Sequence, residues 1–464
     1  MMLKEFSKYT ISNILVKATG FIIPFLLAYY YTESGYGVIS LGYAYLNFFS
    51  MFYAFGFCEG VQRYYYELRD ANQRDIFGNI FLTNFLLVLF FSCIFALLCF
   101  GTSLFTEISK SIFLMVLFVG YLKALQNIGL SFLQMEKESS KYVAVSLISV
   151  ISDVLLIILF VVIIHLPVEF RFISLVICNL FSTILILLFI HKYVKKPIVF
   201  FPSKFKEILK FAFPCMLLPV MSWLLTTSDK VVMSKLGSMT DVGIYSFCFS
   251  LTQLPAILQQ GFNTAYTPIF YSEYENREKI KNIQTLFIEL YSFVLLAYMF
   301  FISLFFKYVS LFEKYEAGII FVPIFMISIL FSAISSMNNS HLAYSYNTKI
   351  TFLITTITGT ISIILNYIFI KHFNSLGAAI SVAITMTIQM VLSFIFSIKY
   401  GYFAWRLKRL IVIIAFFVIA LLSFRYIALF IIVLFLYFIY IMLMEKSLIM
   451  RCIKNDKISN KNFN

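Results

Sequence analysis

Five charged residues fall inside long apolar runs of the sequence: Lys17, Lys123, Asp153, Asp229 and Lys230. A charge at bilayer depth costs at least about 2.5 kcal/mol, so each one needs a counter-charge, a hydrogen-bonding partner or water. Asp229 and Lys230 lie together in LLTTSDKVVMSKLG, residues 224–237. Neighbours at i and i+1 do not share a helix face, so the two need not be an ion pair. The expected solution is an Asp229 carboxylate facing an internal hydrated cavity, with Lys230 directed inward or up to the outer interface. Lys123 and Asp153 sit near the middle of their runs, where a snorkelling side chain cannot reach an interface, whereas Lys17 and Lys230 are nearer an end. The carboxylates would tune the local potential or carry a coupling proton.

Polar residues at helical spacing extend the same reading. The first run carries Asn13, Lys17, Gly20 and Pro24; the second carries Ser40, Tyr43, Asn47 and Ser50. Lys123, Gln126, Asn127, Ser131 and Gln134 mark one face of the fourth, and Ser146, Ser149 and Asp153 one face of the fifth. Ser246, Ser250, Gln253 and Gln260 mark the eighth, and Thr351, Thr355, Thr358, Ser362 and Asn366 the eleventh. Ser and Thr also bond back to helix carbonyls or join helices. Six stripes together with mid-run charges favour a polar interior, in which Asn13, Asn47, Gln126, Gln253 and Thr358 supply further cavity groups. Glu59, Arg63 and Glu289 lie close to run boundaries, where a solvated role is expected; Glu59 and Arg63 are candidate gating residues.

The elements that must position these groups are apolar helices. Hydrophobic residues make up 61% of the 464, and charged residues only 12%. A soluble domain carries roughly twice that share of charge, so the chain is an all-α polytopic membrane protein. The net charge of +14 comes with no basic run interleaved with aromatics, which excludes nucleic acid as a partner. No GxxxxGK[ST], HExxH or GxSxG is present, and GYG at 35–37 is no dinucleotide fingerprint. None of the seven Cys forms a CxxC pair, and the four His are isolated, so the pattern gives no disulfide framework or metal site. No cofactor is expected, and no enzyme activity.

Fourteen runs are long enough to span a bilayer: 9–31, 37–60, 76–100, 111–133, 143–165, 170–190, 211–233, 242–265, 284–306, 317–337, 351–371, 376–398, 409–424 and 426–444. The first lacks a small-residue cleavage site and is expected to be retained. With the N-terminus inside, 26 Lys and Arg fall in cytoplasmic segments, against seven, Arg171 among them, in the opposite ones. That bias places both termini in the cytoplasm.

The basic loop 191–210 follows the sixth span and precedes a second copy of the pattern. LKEFSKY (3–9) resembles FKEILKF (205–211); YGVIS (36–40) resembles VGIYS (242–246) and YYE (65–67) resembles YSE (271–273), the last two at an offset of 206 residues. Two six-helix copies have the same orientation in the membrane, a parallel repeat with the site at the repeat interface. The expected organisation is an N-lobe at 1–190, a linker at 191–210, a C-lobe at 211–398, two peripheral helices at 399–444 and a cytoplasmic tail at 445–464.

TSDKVVMSKLGSMTDVGIYSF (227–247), GFCEGVQRYYYE (56–67) and FNTAYTPIFYSE (262–273) resemble polysaccharide-repeat-unit flippases of the multidrug/oligosaccharidyl-lipid/polysaccharide (MOP) exporter superfamily. The resemblance spans essentially the whole chain, with its 6+6 core, two extra C-terminal spans and basic central loop. It implies a cargo of oligosaccharide on undecaprenyl pyrophosphate, moved across the bacterial inner membrane by alternating access for O-antigen, lipopolysaccharide or another surface polysaccharide. Lys17, Lys123 and Lys230 would then face the diphosphate. The resemblance also implies a proton or another ion as coupling ion, and polymerase or chain-length proteins as partners. Two alternatives are a multidrug cation antiporter of the same fold, which should present acids in the first-half cavity, and a membrane-embedded polysaccharide polymerase or ligase, which should carry a large outer loop.

Overall fold

The computed structural model describes residues 19–71, 75–102, 107–191, 203–345, 348–402, 405–424 and 426–459. Among these residues the chain is all-helical. The helices are α1 (Thr19–Tyr30), α2 (Glu33–Ala54), α3 (Phe57–Asp70), α4 (Asp75–Gly101), α5 (Lys110–Met135), α6 (Ser139–Ile157), α7 (Glu169–Ile190) and α8 (Ser203–Leu236). They continue as α9 (Met239–Ser250), α10 (Gln253–Ser272), α11 (Arg277–Tyr308), α12 (Phe321–Tyr344), α13 (Thr348–Lys399), α14 (Leu407–Ser423) and α15 (Ile427–Ser459). Among the described residues nine helices are long and apolar enough to cross a membrane, or ten if α9 and α10 form one span.

Several expected spans are longer than their apolar runs, and some are broken. The run at 37–60 becomes α2 and α3, because Phe55 and Gly56 adopt left-handed φ of 50° and 69°. Gly56 also has to be small, since a Cβ there would lie 2.0 Å from the Ala212 carbonyl oxygen of α8. Beyond the break, α3 buries Phe57, Val61, Tyr64, Tyr65 and Leu68 at helical spacing and turns Glu59 and Arg63 outward. The runs at 351–371 and 376–398 form one continuous assignment, α13, but Asn374 at φ 49°, ψ −131° breaks it where the sequence separated them. The expected span at 143–165 is α6 followed by a π-helical segment, Ile158–Ile163. Its wider bonds include Ile164 N–H to the Leu159 carbonyl at 3.1 Å.

The described chain divides into two compact units, Met1–Ser250 with Thr355–Ser381, and Leu251–Ile354 with Val382–Asn464. This division differs from lobes of 1–190 and 211–398, which count repeat copies along the sequence. In the first unit, α8 and α9 pack with the N-terminal helices. The contact of α2 with α9 is reciprocal. A Cβ on Gly37 would lie 2.0 Å from the Met239 carbonyl oxygen, and one on Gly243 would lie 1.9 Å from the Glu33 carbonyl oxygen. Gly37 and Gly243 are 206 residues apart, as are Glu33 and Met239. The repeated pentapeptides YGVIS and VGIYS thus meet through equivalent atoms, and only glycine permits so close an approach of two backbones.

In the second unit, Glu289 of α11 is wholly buried and pairs with Arg409 of α14 at 3.2 Å. This corrects the expectation of a solvated Glu289: its position near a run boundary gave no sign of the helix that covers it. Tyr437 of α15 meets Ser292 of α11. Each of the two C-terminal helices therefore carries a polar anchor to α11.

Candidate functional site

Of the charged groups expected in the membrane, the four among the described residues, Lys123, Asp153, Asp229 and Lys230, fall in the first unit as two clusters. The first is built on α2, α5, α6 and α7. Arg171, in the first turn of α7, is 1% exposed and makes a bidentate pair with Asp153 of α6, with Nη1 to Oδ1 at 2.6 Å and Nη2 to Oδ2 at 3.0 Å. Its guanidinium also donates to the Tyr43 hydroxyl on α2 and to Ser174 Oγ, the latter at 2.8 Å. Counting Arg171 among the opposite-side loop bases was wrong: the turn at 164–168 ends early enough to bring it inside. The signal available in the sequence was an Asp in one span and an Arg at the start of the next, which antiparallel neighbours bring together.

Lys123 of α5 belongs to the same cluster, within the fields of Asp153 and Arg171. Its side chain is half-buried, and its Nζ has no ion pair or hydrogen bond among the described residues. Gln126, one turn along α5, is buried and donates to the Asn179 carbonyl at 2.8 Å and to Thr183 Oγ1 at 3.1 Å. It joins α5 to α7. Asn127 on α5 and Asn47 on α2 are exposed.

The second cluster lies on α8, α9 and the first part of α13. Asp229 is 2% exposed and accepts from the Tyr245 hydroxyl of α9 and, at 2.8 Å, from the Lys230 N–H. The expectation of a hydrated Asp229 is corrected here. Its charge is met by a phenol on the adjoining helix, since the side chain points into the α8–α9 contact. Lys230, on another face, is half-buried, its Nζ 5.3 Å from the Phe249 ring centre and without a hydrogen bond of its own among the described residues. Asn366 Nδ2 donates to Ser228 Oγ at 3.2 Å, and Thr358 is buried with Oγ1 directed at the Thr355 carbonyl, so the eleventh stripe serves helix contacts in part.

Of the remaining expected residues, Asn13 and Lys17 lie outside the described residues. Glu59, Arg63 and Gln253 are exposed, the last in the second unit. Among the described residues no group of three or more His, Cys, Asp or Glu could hold a metal ion. Chemically, the two clusters present a neutralised Arg171–Asp153 pair, an Asp229 carboxylate met by Tyr245, and two half-buried ammonium groups, Lys123 and Lys230, that have no acid within ion-pair distance among the described residues. That arrangement suits an anion better than a cation.

A family profile described as polysaccharide biosynthesis protein matches residues 2–273. Comparison with curated proteins gave no match. Among solved structures, the chain is similar to lipid II flippase MurJ in an inward closed conformation, with TM-score 0.74, 18% identity, and coverage of 95% of this chain and 99% of that one. It is also similar to an inward-facing multidrug resistance MATE family transporter of the MOP superfamily, with TM-score 0.67, 13% identity, and coverage of 85% and 98%. A third is a MOP superfamily transporter from Pyrococcus furiosus whose title reports reverse polarity of the binding pocket, with TM-score 0.56, 14% identity, and coverage of 85% and 92%. The fold is that of MOP-superfamily flippases and transporters, and the chain is a multi-pass membrane protein.

Proposed function

The chain belongs to the polysaccharide biosynthesis protein family, and on that premise we propose that it is a flippase for lipid-linked oligosaccharides. Its cargo is an oligosaccharide repeat unit on undecaprenyl pyrophosphate, moved from the cytoplasmic to the outer leaflet of a bacterial inner membrane with both termini inside. The observation that carries this reading is Lys123, a half-buried ammonium that has no ion pair among the described residues and lies beside a neutralised Arg171–Asp153 pair. A diphosphate head group needs such a charge once its hydration is removed, and buried serine, threonine and amide groups take over the hydrogen bonds of the sugar hydroxyls. The polyprenyl chain needs no carrier, since it stays in lipid. Alternating exposure of the cationic groups to the two faces then moves the head group, with an ion gradient as the energy source.

A multidrug cation antiporter is the second reading, supported by the likeness to MATE structures and by Asp153 and Asp229, the two acids within the apolar helices α6 and α8. It requires a carboxylate open to the cargo. Asp153 is held by Arg171 and Asp229 by Tyr245, which favours the anionic cargo.

Proteoliposomes carrying a fluorescent lipid-linked oligosaccharide test the proposal. Wild type and Lys123→Arg should translocate it, while Lys123→Ala should insert normally and translocate at least tenfold more slowly, about 1.4 kcal/mol of lost charge stabilisation. Translocation by Lys123→Ala at the wild-type rate would remove the basis for the reading.

A further inference from the structure

We infer that the seam between α10 and α12 in the second unit reads the sugars of the cargo and is made for uncharged ones; this rests on the flippase reading proposed above. The stretch SSMNNSH, residues 335–341, sets polar side chains at all but one of its positions near the end of the apolar helix α12. Such groups need hydrogen-bonding partners once water is removed. The faces of the helix meet that need differently. Asn338 and His341 are buried. Asn338 donates to Ser393 Oγ at 3.0 Å and accepts from Trp405 Nε1 at 2.8 Å, and His341 Nδ1 lies 3.2 Å from the Tyr274 hydroxyl oxygen. This face joins helices, the usual task of polar groups in a span. Away from it, Ser332, Ser336, Asn339 and Ala343 follow at helical spacing, all half-buried. Asn339 Oδ1 is closed off from solvent there and accepts no hydrogen bond among the described residues.

Ser336 Oγ donates to Asn263 Oδ1 of α10 at 3.2 Å, and α10 extends the surface along Gln260, Asn263, Thr267 and Tyr271. The Asn263 amide N–H groups remain as donors. Thr267 Oγ1 gives its proton to the Asn263 carbonyl at 2.8 Å, so its lone pairs remain as acceptors. A pyranose presents hydroxyls that both donate and accept, together with C–H faces that pack on aromatic rings. Rings stand at the end of the seam. Tyr271 and Tyr344 are exposed at 42% and 36% with centres 5.2 Å apart, one turn beyond Thr267 and Ser340 respectively. Tyr274 holds the Tyr344 ring by stacking at 4.0 Å. Charge is what the seam lacks, since neither α10 nor α12 contains Asp, Glu, Lys or Arg. A sugar carboxylate would lose its water there without gaining a counter-charge from either helix. The surface that accepts neutral sugars thus disfavours acidic ones. In the proposed topology both helices end at the cytoplasmic face, where cargo is loaded.

The test measures binding, in detergent, of three fluorescent probes to the full chain. They are a polyprenyl diphosphate without sugar, the same lipid bearing a disaccharide of neutral hexoses, and its uronic-acid counterpart. Wild type should bind the neutral glycolipid at least about tenfold more tightly than either of the other two. Asn263→Ala and Asn339→Ala should each lose most of that advantage while their affinity for the sugarless lipid stays at the wild-type value. Lys123→Ala should weaken all three probes by a common factor and keep the neutral-sugar advantage, so failure of the Lys123 reading is separable from failure of this one. An undiminished advantage in both asparagine variants would overturn the inference. Equal losses for the sugarless and neutral probes would overturn it as well, since the amides would then be structural. Should the alanine variants fail to fold, the wild type decides. A uronic glycolipid bound as tightly as the neutral one, or a neutral one bound no better than the sugarless lipid, removes the sugar-reading role.

Discussion

Tyr43 of α2 and Phe249 of α9 lie 206 residues apart, the same offset as YGVIS and VGIYS, and each lies beside a cation. The Arg171 guanidinium carbon is 5.6 Å from the Tyr43 ring centre, and Lys230 Nζ is 5.3 Å from that of Phe249. The bases come from different helices, α7 and α8, although the two rings sit at matching positions of α2 and α9. A cation against an aromatic ring is worth about 0.5–2 kcal/mol, more where water is excluded. Phe249→Leu, which removes the ring and keeps an apolar side chain, should therefore destabilise the protein by at least about that amount, packing loss included. Thermal unfolding followed by tryptophan fluorescence measures it, and an unchanged midpoint would mean that the ring does nothing for Lys230.

Removing Arg171 should be far more damaging. Arg171→Met leaves the Asp153 carboxylate without its bidentate partner, a loss of about 3–5 kcal/mol for a buried pair. The doubly neutral Arg171→Met/Asp153→Asn protein should recover much of that stability. Folded yield in detergent across the four members of the cycle tests this, and equal yields for the single and double variants would contradict the pairing.

For Asp229 the prediction separates charge from hydrogen bonding. Asp229→Asn keeps an acceptor for the Tyr245 hydroxyl and should insert near wild-type level. Asp229→Ala strands a buried phenol and should cost about 1–3 kcal/mol. Melting temperatures of the two variants should differ by several degrees, and indistinguishable values would show that the tyrosine contact carries no stability.

Gln126 serves as a measure of helix joining. Interhelical hydrogen bonds in membranes average about 0.6 kcal/mol, so Gln126→Leu should shift the unfolding midpoint only slightly and leave translocation intact. A severe translocation defect with normal folding would instead make Gln126 a cargo contact.

Much of this was legible in the sequence, and the limits have physical causes. Period and length located the helices, and the short matches around YGVIS and VGIYS located the α2–α9 crossing without revealing that the two segments touch. Lys123 and Asp153 stood out because a mid-run charge has few explanations. Arg171 did not, because a base at the end of an apolar run looks the same whether it turns to water or back into the bundle. Asp229 was identified, but its partner was not: Tyr245 is sixteen residues on, and only the turn between α8 and α9 brings the phenol to the carboxylate. Glu289 failed for the same reason as Arg171, with α14 supplying the cover.

The mutual fit of Gly37 and Gly243 also bears on how this contact can evolve. Most touching residues can trade changes, one growing as the other shrinks, and such exchanges leave correlated substitutions in a lineage. Here neither partner can become smaller, and each faces a main-chain oxygen that no substitution alters. A methyl group on one side cannot be compensated from the other. The two positions must therefore be held separately by purifying selection, so a central contact of the first unit would leave almost no covariation behind.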